Sequence, residues 1–207
     1  MQQFINAVTT NTTYFFREPD HFDTIRDAIA SRVAAGQRRF RLWCAASSSG
    51  QEPYTLAMVL YRSFTEQYLD LAILATDIDT DILKRAHAGV YPTSALDKVP
   101  KEYQSTCFEP HPDGVRVIEP VRQLVRFGQL NLDKAPYRMA GPLDLIICRN
   151  VMIYFDEATR RVLVGQFERL LSPTGLLVIG HSESLQGLGS RFQNVEPSVY
   201  SHGRMAA

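Results

Sequence analysis

Polar side chains follow four apolar segments of the sequence, at the points where each segment ends. They are the turn at 47–52 (SSSGQE), Asp77, Asn131 and the pair at 149–150. In nucleotide-binding sheets, an acid that closes a strand accepts hydrogen bonds from ribose hydroxyls. The turn at 47–52 has one glycine and no Lys-Ser/Thr pair, so it lacks the signatures of a phosphate-binding loop. These groups predict a site for a nucleoside without a pyrophosphate.

S-adenosylmethionine (SAM) is such a nucleoside, and it also carries a sulfonium cation. Glu52 adds a negative charge to the turn, which argues against phosphate and for a neutral or cationic ligand. Two of the polar groups have alternative interpretations that the sequence leaves open. Asp77 could be a helix cap, and Asn131 could be a plain turn residue.

The elements that must position these groups alternate between strand and helix. Parallel strands joined by helical crossovers explain this order, and they form an open sheet with helices on both faces. Ligands of such sheets bind outside the carboxyl ends of the strands. The sequence therefore predicts an α/β, Rossmann-like fold. We expect strands at 39–46, 69–79, 123–132, 143–150, 175–184 and 195–202, with helices from Asp20 to near Gly36 and at 54–64, 80–89 (with Thr80 as N-cap) and 157–171.

The alternation is interrupted between the second and third of these units. Residues 91–122 are proline-rich and contain a turn at 112–114 followed by a short strand pattern. We predict a small, partly β insert there. Residues 1–8 are predicted to be a linker or the end of a linker helix, and 9–207 the domain that carries the insert.

Composition excludes several classes of protein. Twenty-two basic residues balance twenty-two acidic ones, so there is no bulk attraction to nucleic acid or to an acidic membrane. Three scattered cysteines fit a reducing compartment, and the five histidines show no metal-ligand spacing with them, so no metal is expected. There is no apolar run of about 18 residues and no signal peptide, which predicts a cytoplasmic protein without membrane insertion.

Five motifs, in order along nearly the whole chain, resemble one known family. They are TTNTTYFFRE, SSSGQEPYTLAM, ATDIDTDILKRAHAGVY, CRNVMIYFD and GLLVIGHSE. The chain is similar in these motifs to the CheR-type chemotaxis receptor methyltransferases. The resemblance implies a SAM-dependent protein-glutamate O-methyltransferase, which releases S-adenosylhomocysteine. The implied acceptors are glutamates on the cytoplasmic helices of chemoreceptors, and the implied role is signal transduction in chemotaxis.

The resemblance also implies which residues act. Arg17 and Tyr154 correspond to the positions that the family associates with catalysis. The implied cofactor contacts are Asn11, Thr13, Arg17, Glu52, Asp77, Asn131, Leu132, Cys148, Arg149 and Asn150. One departure is Gln51, where the family often has Glu.

Two further departures concern docking. Family members usually carry an N-terminal helical domain, whereas this chain begins in what resembles the linker before the catalytic domain. Some members bind a tethering peptide from the receptor tail on the insert. The stretch between Phe108 and Val115 is short here, which argues against that docking.

Other interpretations of single residues remain open. Arg17 could form a surface ion pair with Glu18, and Tyr154 could be a core residue like its apolar neighbours. The sequence GHSES at 180–184 partly matches a nucleophile elbow, but its second glycine is missing, so a serine hydrolase is not favoured. A methyltransferase with another acceptor, or a non-catalytic SAM-binding module, are the competing functions.

Overall fold

A seven-stranded sheet forms the centre of the computed structural model, which describes residues 13–202. Its order is β6-β2-β1-β7-β8-β10-β9. The first five strands are parallel neighbours, whereas β10 runs antiparallel to both β8 and β9. The strands are β1 (Arg39–Ala45), β2 (Asp70–Asp77), β3 (Val90–Tyr91), β4 (Phe108–His111), β5 (Gly114–Val117), β6 (Val125–Gln129), β7 (Leu143–Cys148), β8 (Leu171–Ile179), β9 (Gln193–Glu196) and β10 (Val199–Ser201).

This topology confirms the predicted Rossmann-like sheet. Counted along the chain, the five parallel strands have the order 3-2-1-4-5, which is the order of a doubly wound sheet. The direction of winding reverses between β1 and β7, and a ligand-binding crevice is expected at that point. The helices are α1 (Asp20–Ala34), α2 (Gln51–Ser63), α3 (Thr80–Ala88), α4 (Lys101–Cys107), α5 (Glu119–Arg122) and α6 (Glu157–Leu170).

Two predicted details of these elements are wrong. The N-cap of α3 is Asp79, not Thr80, because the Asp79 carboxylate accepts hydrogen bonds from the N–H groups of Asp81 and Ile82. The single strand expected at 195–202 is a pair of short strands, β9 and β10.

The sheet is buried on both faces. Alternate side chains of β1 enter opposite cores: Phe40 and Leu42 pack on the face covered by α1 and α2, and Trp43 packs on the face covered by α6. This explains why the strand sequences are nearly continuous in apolar residues. Within residues 13–202, no helix is both long enough and apolar enough to cross a lipid bilayer.

The proline-rich stretch contains a three-stranded antiparallel sheet with the order β3-β5-β4. Phe15 packs edge-on between Tyr91 and Phe108 of this sheet, with ring centroids 4.9 and 5.3 Å away. Cys107 and Val117 belong to the same core as α1 and α2. The small sheet is thus built onto the main core, and the division of the chain into a domain and an insert stays a prediction.

Candidate active site

The carboxyl ends of β6, β2, β1 and β7 lie side by side, as the sequence predicted, because these strands are parallel neighbours. Backbone hydrogen bonds join the ends of adjacent strands. The Ser47 N–H donates to the Thr76 carbonyl at 2.8 Å, and the Leu130 N–H donates to the Asp77 carbonyl at 3.0 Å. The polar groups singled out in the sequence therefore border one crevice.

The turn after β1 is strained. Ala46, Ser48 and Gly50 have φ values of 61°, 49° and 95°, in the left-handed region that side chains rarely adopt. Gly50 is required here for a second reason, since a Cβ atom would lie 2.9 Å from the Tyr91 hydroxyl. That hydroxyl donates to the Ser49 carbonyl at 2.8 Å, so the small sheet supports the turn.

Two hydroxyl groups of this turn indicate a ligand. The side-chain oxygens of Ser47 and Ser48 are buried and have no hydrogen-bond partner among the residues that the structure describes. Leaving a buried hydroxyl unpaired costs roughly 1–3 kcal/mol, so such groups normally have a partner in the functional state. A polar ligand seated on the turn would supply one.

Asp77 lies at the end of β2 and faces the turn. Its Oδ2 accepts the Ser48 N–H at 2.8 Å, and its Oδ1 accepts the Asp79 N–H at 3.0 Å. Each carboxylate oxygen can accept a second hydrogen bond, so Asp77 can also bind hydroxyl groups. Burial raises the pKa of Asp77, although the backbone N–H groups oppose the shift. Asp79, not Asp77, caps the helix, so the capping interpretation of Asp77 is wrong.

The Arg149 guanidinium joins two parts of the site. Its Nη1 lies 3.5 Å from Glu52 in the first turn of α2, and its Nη2 lies 3.1 Å from Glu18. It also donates to the carbonyl of Arg17, and its side chain is only 1% exposed. Arg149 thus ties the end of β7 to α2 and to the segment that carries Arg17.

Glu52 has an altered acidity because of this environment. Burial raises its pKa from 4.5 to about 7, against the opposing effect of Arg149. A group whose pKa lies near 7 changes charge with little free energy, which is typical of functional sites. A cation placed beside Glu52 would favour its ionised form.

The segment that carries Arg17 is also strained. Phe16 and Glu18 have φ values of 57° and 55°, and the Phe16 N–H donates to the Thr55 hydroxyl at 3.1 Å. The Arg17 Nε atom lies 3.8 Å from the Glu18 Oε1 atom, so the ion pair considered from the sequence is present. Of the six non-glycine residues with positive φ in the described chain, all but one lie in the segments that meet here (Phe16, Glu18, Ala46, Ser48 and Asn150). Strain of this kind concentrates at functional sites.

Glu183 holds the turn after β7, and sequence analysis did not assign it a role. One oxygen accepts the N–H groups of Val151 and Met152 at 3.0 and 2.8 Å. The other accepts those of Asn150 and Gly180 at 2.9 and 2.7 Å. The carboxylate therefore clamps the turn after β7 to the turn after β8. The sequence feature that could have indicated this role is the acidic residue of the GHSES motif.

The clamped turn presents Tyr154 to solvent. Residues 152–154 form a 3₁₀ turn in which Met152 is buried, while Tyr154 is 58% exposed. The interpretation of Tyr154 as a core residue is therefore wrong. Its exposure is compatible with contact to a large acceptor.

The positions of the remaining predicted residues give less evidence for a cofactor site. Cys148 and Leu132 are buried in the core under α6. The Asn131 side-chain oxygen accepts the Asp133 N–H at 2.9 Å, which is the turn that the sequence left open as an alternative. Thr13 is the first described residue, and Asn11 lies outside the described residues.

Two histidines that sequence analysis did not group with Glu18 lie beside it. Glu18, His21 and His181 place possible ligand atoms within 4.8 Å of one another. Burial and the nearby Arg149 lower the pKa of His21 to about 4, so its ring is neutral at pH 7. The Glu18 oxygen already lies 3.1 Å from Arg149, whose charge would repel a metal ion. The geometry favours an ion-pair network over a metal site.

The donor set fits SAM. Asp77 can bind ribose hydroxyls, Glu52 can face the cationic end of the cofactor, and the turn at 47–50 offers unpaired hydroxyls. There is no glycine-rich cradle for a pyrophosphate. These residues come from the ends of two neighbouring strands, β1 and β2, beside the switch point of the sheet, where a ligand is expected.

Comparison with known proteins found a matching family and similar methyltransferases. Residues 11–201 match the family described as CheR methyltransferase, SAM binding domain. Chemotaxis protein methyltransferase 2 of Pseudomonas aeruginosa is 42% identical over 204 residues, covering 97% of this chain and 72% of that protein. The chemotaxis protein methyltransferase of Escherichia coli is 40% identical over 204 residues, covering 97% and 70%. Among solved structures, a TehB-like SAM-dependent methyltransferase from Corynebacterium glutamicum is 18% identical, with a TM-score of 0.42 over 78% of this chain and 72% of that one.

The residues that match the family run from the segment that carries Arg17 to the end of β10. The chain belongs to the CheR methyltransferase family and comprises its SAM-binding domain.

Proposed function

We propose that this protein transfers a methyl group from SAM to glutamate carboxylates on the cytoplasmic helices of chemoreceptors, forming glutamyl methyl esters. The observation that carries the proposal is the Arg149 network. It joins Glu52, on the cofactor side, to the segment of Arg17 through contacts of 3.5 and 3.1 Å. The named relatives are chemotaxis methyltransferases, which supports a chemoreceptor as acceptor and the cytoplasm as location.

Methyl transfer depends on alignment of the acceptor carboxylate more than on proton transfer. Bound SAM supplies an electrophilic methyl group on a sulfonium. A glutamate side chain has a reference pKa near 4.3 and is already ionised at neutral pH, so no strong base is needed. The chain must hold the acceptor carboxylate in line and exclude water, and alignment can contribute roughly 7–11 kcal/mol.

Arg17 and Tyr154 are the residues we assign to the acceptor. Arg17 is held by its strained segment and by the hydrogen bond from Arg149 to its carbonyl, so its guanidinium can orient the incoming carboxylate. Tyr154 is exposed on the turn after β7 and can donate a hydrogen bond to the same group. Asp77 and Glu52 would hold the ribose and the amino-acid end of the cofactor.

Replacing Tyr154 by phenylalanine should lower turnover while leaving the affinity for S-adenosylhomocysteine within about twofold. A hydrogen bond to a charged group contributes roughly 1.5–3 kcal/mol, which corresponds to a loss in rate of about 10- to 150-fold. Steady-state kinetics and calorimetric titration measure the two quantities. Tyr68→Phe is the matched control, because Tyr68 is 95% exposed. A variant that loses affinity but keeps its rate would place Tyr154 in the cofactor site instead.

Replacing Asp77 by asparagine should weaken the binding of S-adenosylhomocysteine. The substitution keeps the shape but removes the charge and turns one accepting oxygen into an NH2 donor, and we expect a loss of about 1–2 kcal/mol or roughly 5- to 30-fold in affinity. Asp70→Asn, at the other end of β2, serves as the control. Unchanged affinity in a folded Asp77→Asn variant would refute the assignment.

The function itself is tested by label transfer. The protein is incubated with SAM carrying a labelled methyl group and with the cytoplasmic fragment of a chemoreceptor. We expect label in the wild-type fragment and none in a fragment whose candidate acceptor glutamates are replaced by alanine. Equal labelling of both fragments would mean that the acceptor is not a glutamate.

The small sheet is not part of this proposal. The hairpin of β4 and β5 pairs His111 with Gly114, so its turn contains only two residues. This supports the expectation, which stays a prediction, that a tethering peptide from a receptor tail does not dock here.

A further inference from the structure

A groove borders the 3₁₀ turn that carries Tyr154. One cavity of about 380 Å³ is bordered by Met152, Ile153 and Arg160 on one side and by the loop at 182–187 on the other. A second cavity of about 700 Å³ continues from it, because both are lined by Ser184, Gln186 and Gly187. We call these two cavities the Arg160 groove. It begins at the 3₁₀ turn that carries Tyr154 and runs along the first turns of α6 toward β10.

Two arginines line the groove. Arg160 lines the first cavity and Arg161 the second. Arg161 is ion-paired with Glu157 in the same helix, so Arg160 is the arginine that the groove offers to a partner. The Arg160 Nε atom is buried and has no hydrogen-bond partner within residues 13–202. The acid among the lining residues is Glu183, whose oxygens already accept four backbone N–H groups. The charged group with an unused hydrogen-bond donor in the groove is therefore the Arg160 guanidinium.

The groove also has an apolar side. Ile153 is 52% exposed on the 3₁₀ turn next to Tyr154, and Phe192 and Tyr200 line the far end. A strip that is apolar beside Tyr154 and cationic along α6 is complementary to an amphipathic helix that carries acidic residues. In a helix, residues three or four positions apart lie on one face, about 5–6 Å from each other.

We propose that the Arg160 groove seats the acceptor helix, so that residues one turn from the methylated glutamate enter it. This inference rests on the proposed function, and it names how that site recognises its substrate. An acidic residue of the helix pairs with Arg160, and an apolar residue packs on Ile153. Recognition of this kind, by a helix in a groove with anchors one turn apart, fixes which glutamate reaches Tyr154.

Charge reversal at Arg160 tests the inference, with Ile153→Asp as an independent variant. For the cytoplasmic fragment of a chemoreceptor, we expect each change to raise KM at least about tenfold, as for an anchor residue, with kcat and the affinity for S-adenosylhomocysteine within about twofold. Arg126→Glu, on the strand at the opposite edge of the sheet, should change neither quantity. Rising ionic strength should raise KM for the wild type more than for Arg160→Glu.

A compensating change in the acceptor gives a sharper test. Replacing an acidic residue one helical turn from the methylated glutamate by lysine should impair methylation by the wild type and restore it for Arg160→Glu. A structural defect in the variant could not be repaired in this way. KM values within about twofold of wild type for both Arg160→Glu and Ile153→Asp would overturn the inference.

Direct binding separates this inference from the proposed function. The fragment is titrated calorimetrically into the protein saturated with S-adenosylhomocysteine, where no turnover occurs. Binding to the wild type but not to Arg160→Glu supports the groove even if no ester forms, in which case the proposed function has failed. Absence of binding to the wild type, or equal binding to both proteins, overturns the groove.

Discussion

Replacing Glu183 by alanine is expected to destabilise the protein and to lower its turnover. The carboxylate accepts four backbone N–H groups, from Asn150, Val151, Met152 and Gly180, at 2.7–3.0 Å. Hydrogen bonds to a charged group contribute roughly 1.5–3 kcal/mol each. Glu183 is partly exposed, so water will replace some of these bonds. We therefore expect a loss of about 3–5 kcal/mol in the free energy of unfolding.

The effect on turnover has a separate cause. The N–H groups that Glu183 binds belong to the turn between Arg149 and Tyr154, so their release lets Tyr154 move away from the acceptor. A misplacement of about 1 Å can cost about 100-fold in rate. Glu183→Gln should show an intermediate defect, because its amide nitrogen faces backbone N–H groups that need an acceptor.

Denaturant unfolding and steady-state kinetics measure the two effects of Glu183. The control is Glu66→Ala, an exposed acid between α2 and β2, which should stay within about 0.5 kcal/mol of wild type. If Glu183→Ala unfolds like the wild type and turns over at the same rate, the clamp has no functional role.

Replacing Arg149 by methionine should be about as damaging, and its effect should depend on pH. The change leaves Glu18 and Glu52, whose side chains are only 15% and 16% exposed, without the cation that lies 3.1 and 3.5 Å from them. Breaking a buried ion pair by removing one partner costs about 3–5 kcal/mol. A lysine cannot bridge both acids as a planar guanidinium does, so Arg149→Lys should recover only part of the loss.

The pH dependence follows from Glu52. In the folded protein, burial raises the pKa of this carboxyl from 4.5 to about 7. Between these pH values the folded state binds the proton more tightly than the unfolded state, so this group's contribution to stability falls as pH rises. Arg149 opposes the upward shift, and its removal raises the pKa of Glu52 further. The extra destabilisation of Arg149→Met should therefore grow as pH rises above about 7.

Denaturant unfolding at pH 6 and at pH 8.5 tests this account of Arg149. We expect the difference in unfolding free energy between wild type and variant to be larger at pH 8.5. Adding Glu52→Gln to Arg149→Met should remove most of that pH dependence. Arg126→Met provides an exposed control on β6. A loss for Arg149→Met that is the same at both pH values would show that Glu52 is not coupled to Arg149.

The sequence predicted the sheet because local signals and topology agreed. Apolar runs marked β1, β2 and β7, and the helices between them required parallel strands. Parallel order then placed the turn at 47–52, Asp77 and Arg149 at one edge. The polar groups could be grouped from sequence because they follow strand ends, where the sheet itself sets their position.

The contacts between those groups could not be predicted in the same way. Glu18 and Glu183 lie far from Arg149 and Asn150 in the chain, and no local pattern specifies that they meet. Thr80 and Asp79 are both good cap residues, so only the geometry of α3 identifies Asp79. The exposure of Tyr154 was ambiguous because its neighbours are apolar, and it depends on the clamp by Glu183.

The chemical nature of the product tests the proposed function most directly. A carboxylate acceptor gives a methyl ester, which hydrolyses in mild base, whereas methyl groups on nitrogen do not leave. A chemoreceptor fragment labelled by this protein from SAM should therefore release its label as volatile methanol after mild alkali. Label that remains on the fragment through that treatment would show that the acceptor is not a glutamate carboxylate, and would contradict the function proposed here.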